Sequence, residues 1–394
     1  MLRSSPILFL VTMPLLAGCL GSGGGKDDTG DSGTAPGEDT GGGDGGGDGG
    51  GGTDGLTELS DPCEGIGPIY ALHIDSAEEA WIGCGNGAGL WTSRDRGDSW
   101  SAGHPSEDLY VFDIRRDTEG RLLVCGHDYD PTYENVLVRR LGSDGEWEEL
   151  LWYGTDADAG NQVSMSNCGQ AVADASGNLL VMSNTIGDMA RSTDDGRRWT
   201  AADRYWEEAN LDDGGYGAYQ LMRVEATSAG IFASGSTISQ PPFFFTPSSH
   251  PDADWYNLKV NTVSEDVTGE GWALATPDEG RSWFVGGRDQ SSSSAASGFL
   301  FRSDDDGSTW ESMVLGDEID IVRDVAFSAD GNLGIAVGDR YPPASLGGFA
   351  LVTSDGGLTW TELNEDLPEN LQRAAVEGTT WMIGGDGYLA RGSF

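Results

Sequence analysis

The chain has 394 residues, 65 acidic against 22 basic side chains, a net charge of −43 and 62 glycines. A body this acidic repels nucleic acid and anionic lipid, and no stretch reads as a basic groove, so nucleic-acid partners are excluded. Lysine occurs only at Lys26 and Lys259, and the acidity reads as a solubility device for an extracellular or salty setting.

Residues 1–18 form a secretory signal: Arg3, an apolar run from Ile7 to Leu16, then the small residues Ala17 and Gly18. The run is too short to persist as a membrane-spanning helix. Its ending, Leu16-Ala17-Gly18-Cys19, resembles the lipobox of bacterial lipoproteins. That resemblance implies cleavage before Cys19, lipid on its thiol, and anchoring of the mature protein in the bacterial cell envelope. The outer membrane is the expected site, on its periplasmic or exposed side. Several acyl chains on one residue give stable anchoring where a single chain does not. Residues 19–55 are almost entirely Gly, Asp, Ser and Thr after the cysteine, with nothing to bury, and read as a disordered tether.

From residue 56 to 394 the chain repeats. An apolar strand ending in a small residue returns seven times, ending at Gly85, Gly126, Ser183, Gly235, Gly287, Gly338 and Gly385, with a period of about 50 residues. Each copy reads as an inner strand (Asp324 to Ser328), a polar turn, the small-ended strand, a third strand (Gly348 to Thr353), a second turn and a fourth strand. The fold class expected is all-β: a seven-bladed β-propeller of four-stranded blades. The last copy lacks a fourth strand, and Leu56-Thr57-Glu58-Leu59 parallels Trp360-Thr361-Glu362-Leu363. The N-terminal strand is therefore expected to join the last blade and close the ring, removing an exposed sheet edge.

The second turn carries the clearest motif, [Ser/Thr]-x-Asp-x-Gly-x-[Ser/Thr]-Trp. It stands at Ser93 to Trp100, Ser303 to Trp310 and Thr353 to Trp360, and at Ser192 to Trp199 with Arg198 in the hydroxyl position. Asp95, Asp194, Asp305 and Asp355 supply oxygens for turn N–H groups, the glycine takes a positive φ, and Trp100, Trp199, Trp310 and Trp360 bury a flat ring beside the turn. Gly142 to Trp147 and Ser248 to Trp255 keep the tryptophan and lose the turn. Thr276 to Trp283 fits letter for letter but falls between first and second strands, so an ordinary hairpin turn is expected there, with Trp283 in the strand that follows. The four motifs resemble the Asp-box (BNR-type) repeats of bacterial sialidases, sortilin-type receptors, xyloglucan-degrading glycosidases and photosystem assembly factors. The resemblance covers residues 56–394. It implies that the motif turns lie away from any ligand site, so no functional residue carries over through them. The Arg-Ile-Pro segment of sialidases does not occur in the sequence, and Arg115, Arg116, Arg223 and Arg323 cannot be assigned to an arginine triad.

Four cysteines follow Cys19, an even number that suggests disulfides in an exported chain. Their place in the repeat puts Cys63, Cys84, Cys125 and Cys168 near one face and favours Cys63–Cys84 and Cys125–Cys168. No CxxC occurs, and His73, His104, His127 and His250 show no ligand spacing, so neither metal nor cofactor is expected.

Insertions concentrate between second and third strands and between blades, on the face opposite the motif turns. Tyr129, Tyr153, Tyr205, Trp206, Tyr216, Tyr341 and Arg340 stand in them as a ligand face suited to sugar stacking or peptide capture. The function expected is a monomeric, non-catalytic binding or scaffolding module for a glycan or protein ligand, with no assigned catalytic residue. The alternatives are a sialidase-related hydrolase and an assembly factor for a membrane complex.

Overall fold

The computed structural model describes residues 56–106, 108–128, 136–153, 162–163, 165, 167–183, 189–202, 220–227, 230–236, 243–246, 256–257, 269–289, 298–313, 315–316, 318–341, 347–363, 367–368 and 370–394. The signal, Cys19 and the tether lie outside them. Among the described residues no helix is long and apolar enough to cross a membrane.

β1 (Thr57–Glu58) opens the fold. β2 (Ile69–Ile74), β3 (Ala80–Cys84), β4 (Leu90–Ser93) and β5 (Ser101–Ala102) make a four-stranded antiparallel sheet in chain order. β6 (Leu109–Arg116), β7 (Leu122–Asp128), β8 (Val136–Leu141) and β9 (Trp147–Tyr153) make the next, to which β10 (Gln162–Val163) adds a parallel fifth strand. The third holds β11 (Gln170–Ala173), β12 (Leu179–Met182), β13 (Met189–Ser192) and β14 (Thr200–Ala202). β15 (Gln220–Thr227), β16 (Gly230–Ser236), β17 (Phe243–Thr246) and β18 (Tyr256–Asn257) follow. They are joined by the single bridge Ser236↔Glu270 to β19 (Gly269–Ala275), β20 (Trp283–Asp289), β21 (Gly298–Ser303) and β22 (Glu311–Ser312). β23 (Ile319–Phe327), β24 (Gly334–Arg340), β25 (Gly348–Thr353) and β26 (Thr361–Glu362) form another sheet. β27 (Leu371–Glu377), β28 (Thr380–Gly385) and β29 (Leu389–Ser393) complete a last one with β1, through Thr57↔Arg391 and Glu58↔Ala390.

Burial within a sheet follows strand position. Second strands such as β3, β12 and β20 are near-continuous apolar runs buried throughout or almost so, whereas the two-residue fourth strands β5, β22 and β26 are exposed. Each sheet shares a core with the next: Leu123, Val138 and Leu151 meet Ala171, Val181 and Trp199, and Phe284 and Leu300 meet Val325 and Phe349. The last sheet packs on the first, since Leu389 joins Cys63, Ile69 and Ile82, and Met382 joins Ile74 and Ala80. Two disulfides, Cys63–Cys84 and Cys125–Cys168, lie in these cores.

The small residue does not always end its strand, since β7, β16, β20 and β24 run on to Asp128, Ser236, Asp289 and Arg340, but its recurrence has a specific cause. Six first strands carry a β-bulge at one register, as at Val111/Asp113, Val322/Asp324 and Leu371/Arg373, and the residue before each bulge pairs near the end of the second strand. A Cβ on Gly126, Gly287, Gly338 or Gly385 would come within 1.9, 1.8, 1.9 or 2.2 Å of a first-strand carbonyl oxygen. β11 has no such bulge, and there the equivalent residue is Ser183. The bulge also lengthens the first strand: β23 begins at Ile319, five residues before the start expected from the repeat.

Four turns share one hydrogen-bond plan. In Ser303 to Trp310, Ser303 Oγ accepts the Gly307 N–H at 2.9 Å and donates to Asp305 Oδ1 at 2.9 Å, while Asp305 accepts the Thr309 N–H at 2.8 Å and its hydroxyl at 2.7 Å. The turns at Ser93 and Thr353 repeat every bond, and that at Ser192 all but the hydroxyl, where Arg198 stands. Two successive residues are left-handed, Asp306 and Gly307 in this copy. The Thr309 N–H holds the Asp305 carboxyl below its usual range, and the Ser99 hydroxyl does the same for Asp95. Trp199 and Trp310 donate Nε1 to the turn glycine carbonyl, whereas Trp100 and Trp360 find no acceptor.

The look-alike at Thr276 differs in part from expectation. Trp283 does open β20, but the preceding segment contains a short helical turn, α1 (Pro277–Gly280), and Trp283 Nε1 donates to Gly280 O at 2.9 Å. Gly280 is left-handed and the tryptophan follows three residues later, the same glycine–tryptophan contact that Trp199 and Trp310 make in the motif turns.

Candidate functional site

The first strands surround a cavity of about 480 Å³, lined from β2, β6, β15, β19, β23 and β27. Its lining begins after the bulges and ends at turn residues Thr276, Pro277, Ser328 and Ala329, so it lies toward the first-hairpin end of the sheets. Antiparallel order puts first-hairpin turns and the Ser-x-Asp-x-Gly turns at the same end. Bonds between them fix this, Arg96 N–H to Glu78 O at 3.0 Å and Gly356 N–H to Asn332 O at 2.9 Å. The cavity therefore lies at the end opposite the insertions that the sequence marks as a ligand face.

Arg115, Arg116, Arg223 and Arg373 all line the cavity. Arg115 sits between Glu225 (2.6 Å) and Asp113 (3.2 Å). Burial pushes the Glu225 carboxyl up, and the Arg115 charge opposes it. Arg223 faces Asp324 at 3.7 Å. Several groups just past the bulge register stitch one first strand to the next: Asp113 accepts Ala171 N–H at 3.3 Å and Asp324 accepts Ala374 N–H at 3.0 Å. Arg373 Nε donates to Tyr70 O, joining β27 to β2.

At the rim, Asp75 accepts His73 Nε2 and Trp81 Nε1, each at 2.8 Å, and receives a two-point contact from Arg116. Burial alone would push its carboxyl up, but the bonds from His73 and Arg116 outweigh that and hold it far below the usual range. A depressed carboxylate contributes stability that is full above its unfolded pKa of about 4 and is lost as pH falls below that. Asp75→Asn is therefore expected to flatten the acid limb of a melting-temperature profile below about pH 4; an acid limb of unchanged slope refutes the assignment.

The bulge residues Tyr70, Phe112, Met222, Trp272, Arg323 and Gln372 were not marked by the sequence. They are half-buried. Tyr70 stacks on Phe112 with centroids 5.9 Å apart, and the Arg323 guanidinium lies 5.4 Å from the Trp272 ring centre while bonding Asp339 at 2.6 Å. Only the bulge distinguishes them, and a bulge has no letter pattern.

Of the expected ligand-face residues, Tyr129, Tyr205, Trp206 and Tyr216 lie outside the described residues. Tyr153 closes β9, its backbone paired with Val163. Tyr341 is 42 % exposed. Arg340 turns back on its own sheet, donating to Gly348 O and pairing with Glu362. Neither Arg340 nor Tyr341 lines the cavity. Among the described residues no cluster of His, Cys, Asp and Glu could hold a metal.

No protein-family model and no curated protein matches the chain. Solved structures do. YCF48 from Cyanidioschyzon merolae aligns over 86% of this chain and 98% of its own at 13% identity, with a TM-score of 0.56. Virginiamycin B lyase from Staphylococcus aureus aligns over 86% and 99% at 12% identity, also at 0.56. The extracellular domain of BT4673 from B. thetaiotaomicron gives 0.56 at 10% identity, over 86% of this chain and 40% of that one. The fold is β-propeller-like. YCF48, a lyase and the extracellular domain of a one-component system share this architecture, so the fold fixes no chemistry.

Proposed function

We propose that this is a seven-bladed propeller, closed by β1 and fastened by Asp-box turns, acting as a non-catalytic binding or scaffolding module for a glycan or protein ligand. Lipid on Cys19 holds it in the cell envelope, and the tether 19–55 sets it off from the membrane. The blade count is supported by the seven four-strand successions obtained when the Ser236↔Glu270 bridge is read as an inter-blade contact. Closure is supported by β1 on β29 and by the core that the last sheet shares with the first.

The observation that carries the binding reading is the cavity framed by the first strands. Most of its charged groups are already bonded to one another or to backbone, which suits recognition by a preorganised wall. One feature favours the hydrolase reading instead. Near the other end of the first strands, burial pushes the Asp320 carboxyl up and its Oδ1 accepts no hydrogen bond, with Arg288 3.5 Å away. A glycosidase uses one carboxyl whose pKa is raised and a second carboxylate. Screening the purified protein on glycan and peptide arrays, with product release monitored on every glycan bound, tests both. Saturable binding without turnover is expected; turnover lost in Asp320→Asn would replace the binding reading by the hydrolase one.

A further inference from the structure

We propose that the cavity at the turn end contains a carboxylate subsite, in which Arg373 with Arg223 beside it binds the head group of a small monoanionic organic acid. This rests on the binding reading above, and adds a ligand class and a location away from the loop face.

Most arginines around the cavity already have a carboxylate partner. Arg115 has Glu225 and Asp113, Arg116 has Asp75, Arg223 has Asp324, and Arg323 has Asp339. Arg373 has no carboxylate within 4.0 Å among the described residues. Its Nε goes to Tyr70 O and its Nη1 to Gln372 O at 2.7 Å, and no acceptor for Nη2 stands among the described residues. The carboxylates near it are committed. Asp324 accepts the N–H groups of Ala374 and Val325, and Asp113 accepts that of Ala171 and pairs with Arg115. Burial, and then the neighbouring Arg223 charge, pull Arg373 down to about 9. A guanidinium still carries its proton at neutral pH, so Arg373 is a half-buried cation with no carboxylate at ion-pair distance among the described residues, in a site that a planar carboxylate fits through N–H donors.

The rest of the wall limits the ligand. Ala275, Ala326 and Ala375, at matching positions of three first strands, give the cavity a small-residue face for a compact apolar body. Glu225, Asp324 and Glu377 line the same space, so a second negative charge would be repelled. A monoanion meets one unmatched cation; a phosphate dianion does not.

The test is calorimetric titration of the full chain with acetate, butyrate, benzoate and glucuronate, each beside its uncharged amide, and with inorganic phosphate. At least one acid is expected to saturate and to bind at least about tenfold more tightly than its amide and than phosphate. Arg373→Gln is expected to remove that preference, and Arg373→Lys to restore part of it. Arg223→Gln, also expected to weaken binding, serves if Arg373→Gln does not fold, and Arg340→Gln should change nothing. No saturable acid, an amide that binds equally well, or an acid affinity unaffected by Arg373→Gln and Arg223→Gln overturns the subsite. An array ligand whose binding ignores both substitutions sinks the subsite and leaves the binding module standing.

Discussion

Gly338→Ala is expected to destabilise the protein by about 3 kcal/mol or more, as overpacking against rigid backbone does. The added Cβ would lie 1.9 Å from Ile321 O and 2.9 Å from the Phe349 ring. The carbonyl lies between two register shifts, at Ile319/Ile321 and Val322/Asp324, and is held by the pairs Ile321↔Asp339 and Val322↔Gly338, so it cannot swing away without breaking the ladder between β23 and β24. Gly316→Ala is the control. A Cβ there meets nothing within 4 Å and its φ is not positive, so its effect should stay within about 0.5 kcal/mol. Denaturant melts of both variants decide. Equal midpoints would mean that the recurring glycine of the second strand is not held by the bulge.

That glycine marks how far the sequence was legible. Its recurrence located the second strands, though not their ends, as β7, β16, β20 and β24 run on past it; a small residue after an apolar run is visible as letters. The reason for it was not, because the bulge that demands it is a geometric relation between two strands. The motif turns were readable down to individual bonds, their partners lying two to four residues apart: Ser303 with Gly307, Asp305 with Thr309. The cavity was not readable, as its groups meet across about 100 residues, Arg115 with Glu225 and Arg223 with Asp324. The sequence pointed to aromatic insertions instead, because exposed rings in long loops stand out in a way that Arg373, in an ordinary-looking strand, does not.

Deleting residues 56–62 is expected to lower stability by several kcal/mol, although β1 itself contributes only two residues to a sheet. The deletion removes the pairing Thr57↔Arg391 and Glu58↔Ala390 and the Leu59 N–H bond to Leu389 O at 2.9 Å. It also removes the Leu59 side chain, which packs against both cores shared by the first and last sheets. Three backbone bonds at about 1 kcal/mol and one partly buried leucine at roughly 1–2 kcal/mol give the local loss. The larger consequence is spatial. If β1 closes a ring, its loss frees both flanks of one seam, so amide exchange should quicken in β27–β29 and equally in β2 and β3, about 300 residues away in sequence. Cys63→Ser with Cys84→Ser acts on the same seam, by about 3 kcal/mol for the 21-residue loop it opens, and should quicken exchange in those strands too. Quickening confined to β29, with β2 and β3 still protected, would show that β1 only covers an edge. The protein would then be an open array, with the bond from Arg373 to Tyr70 O a surface contact between its two ends.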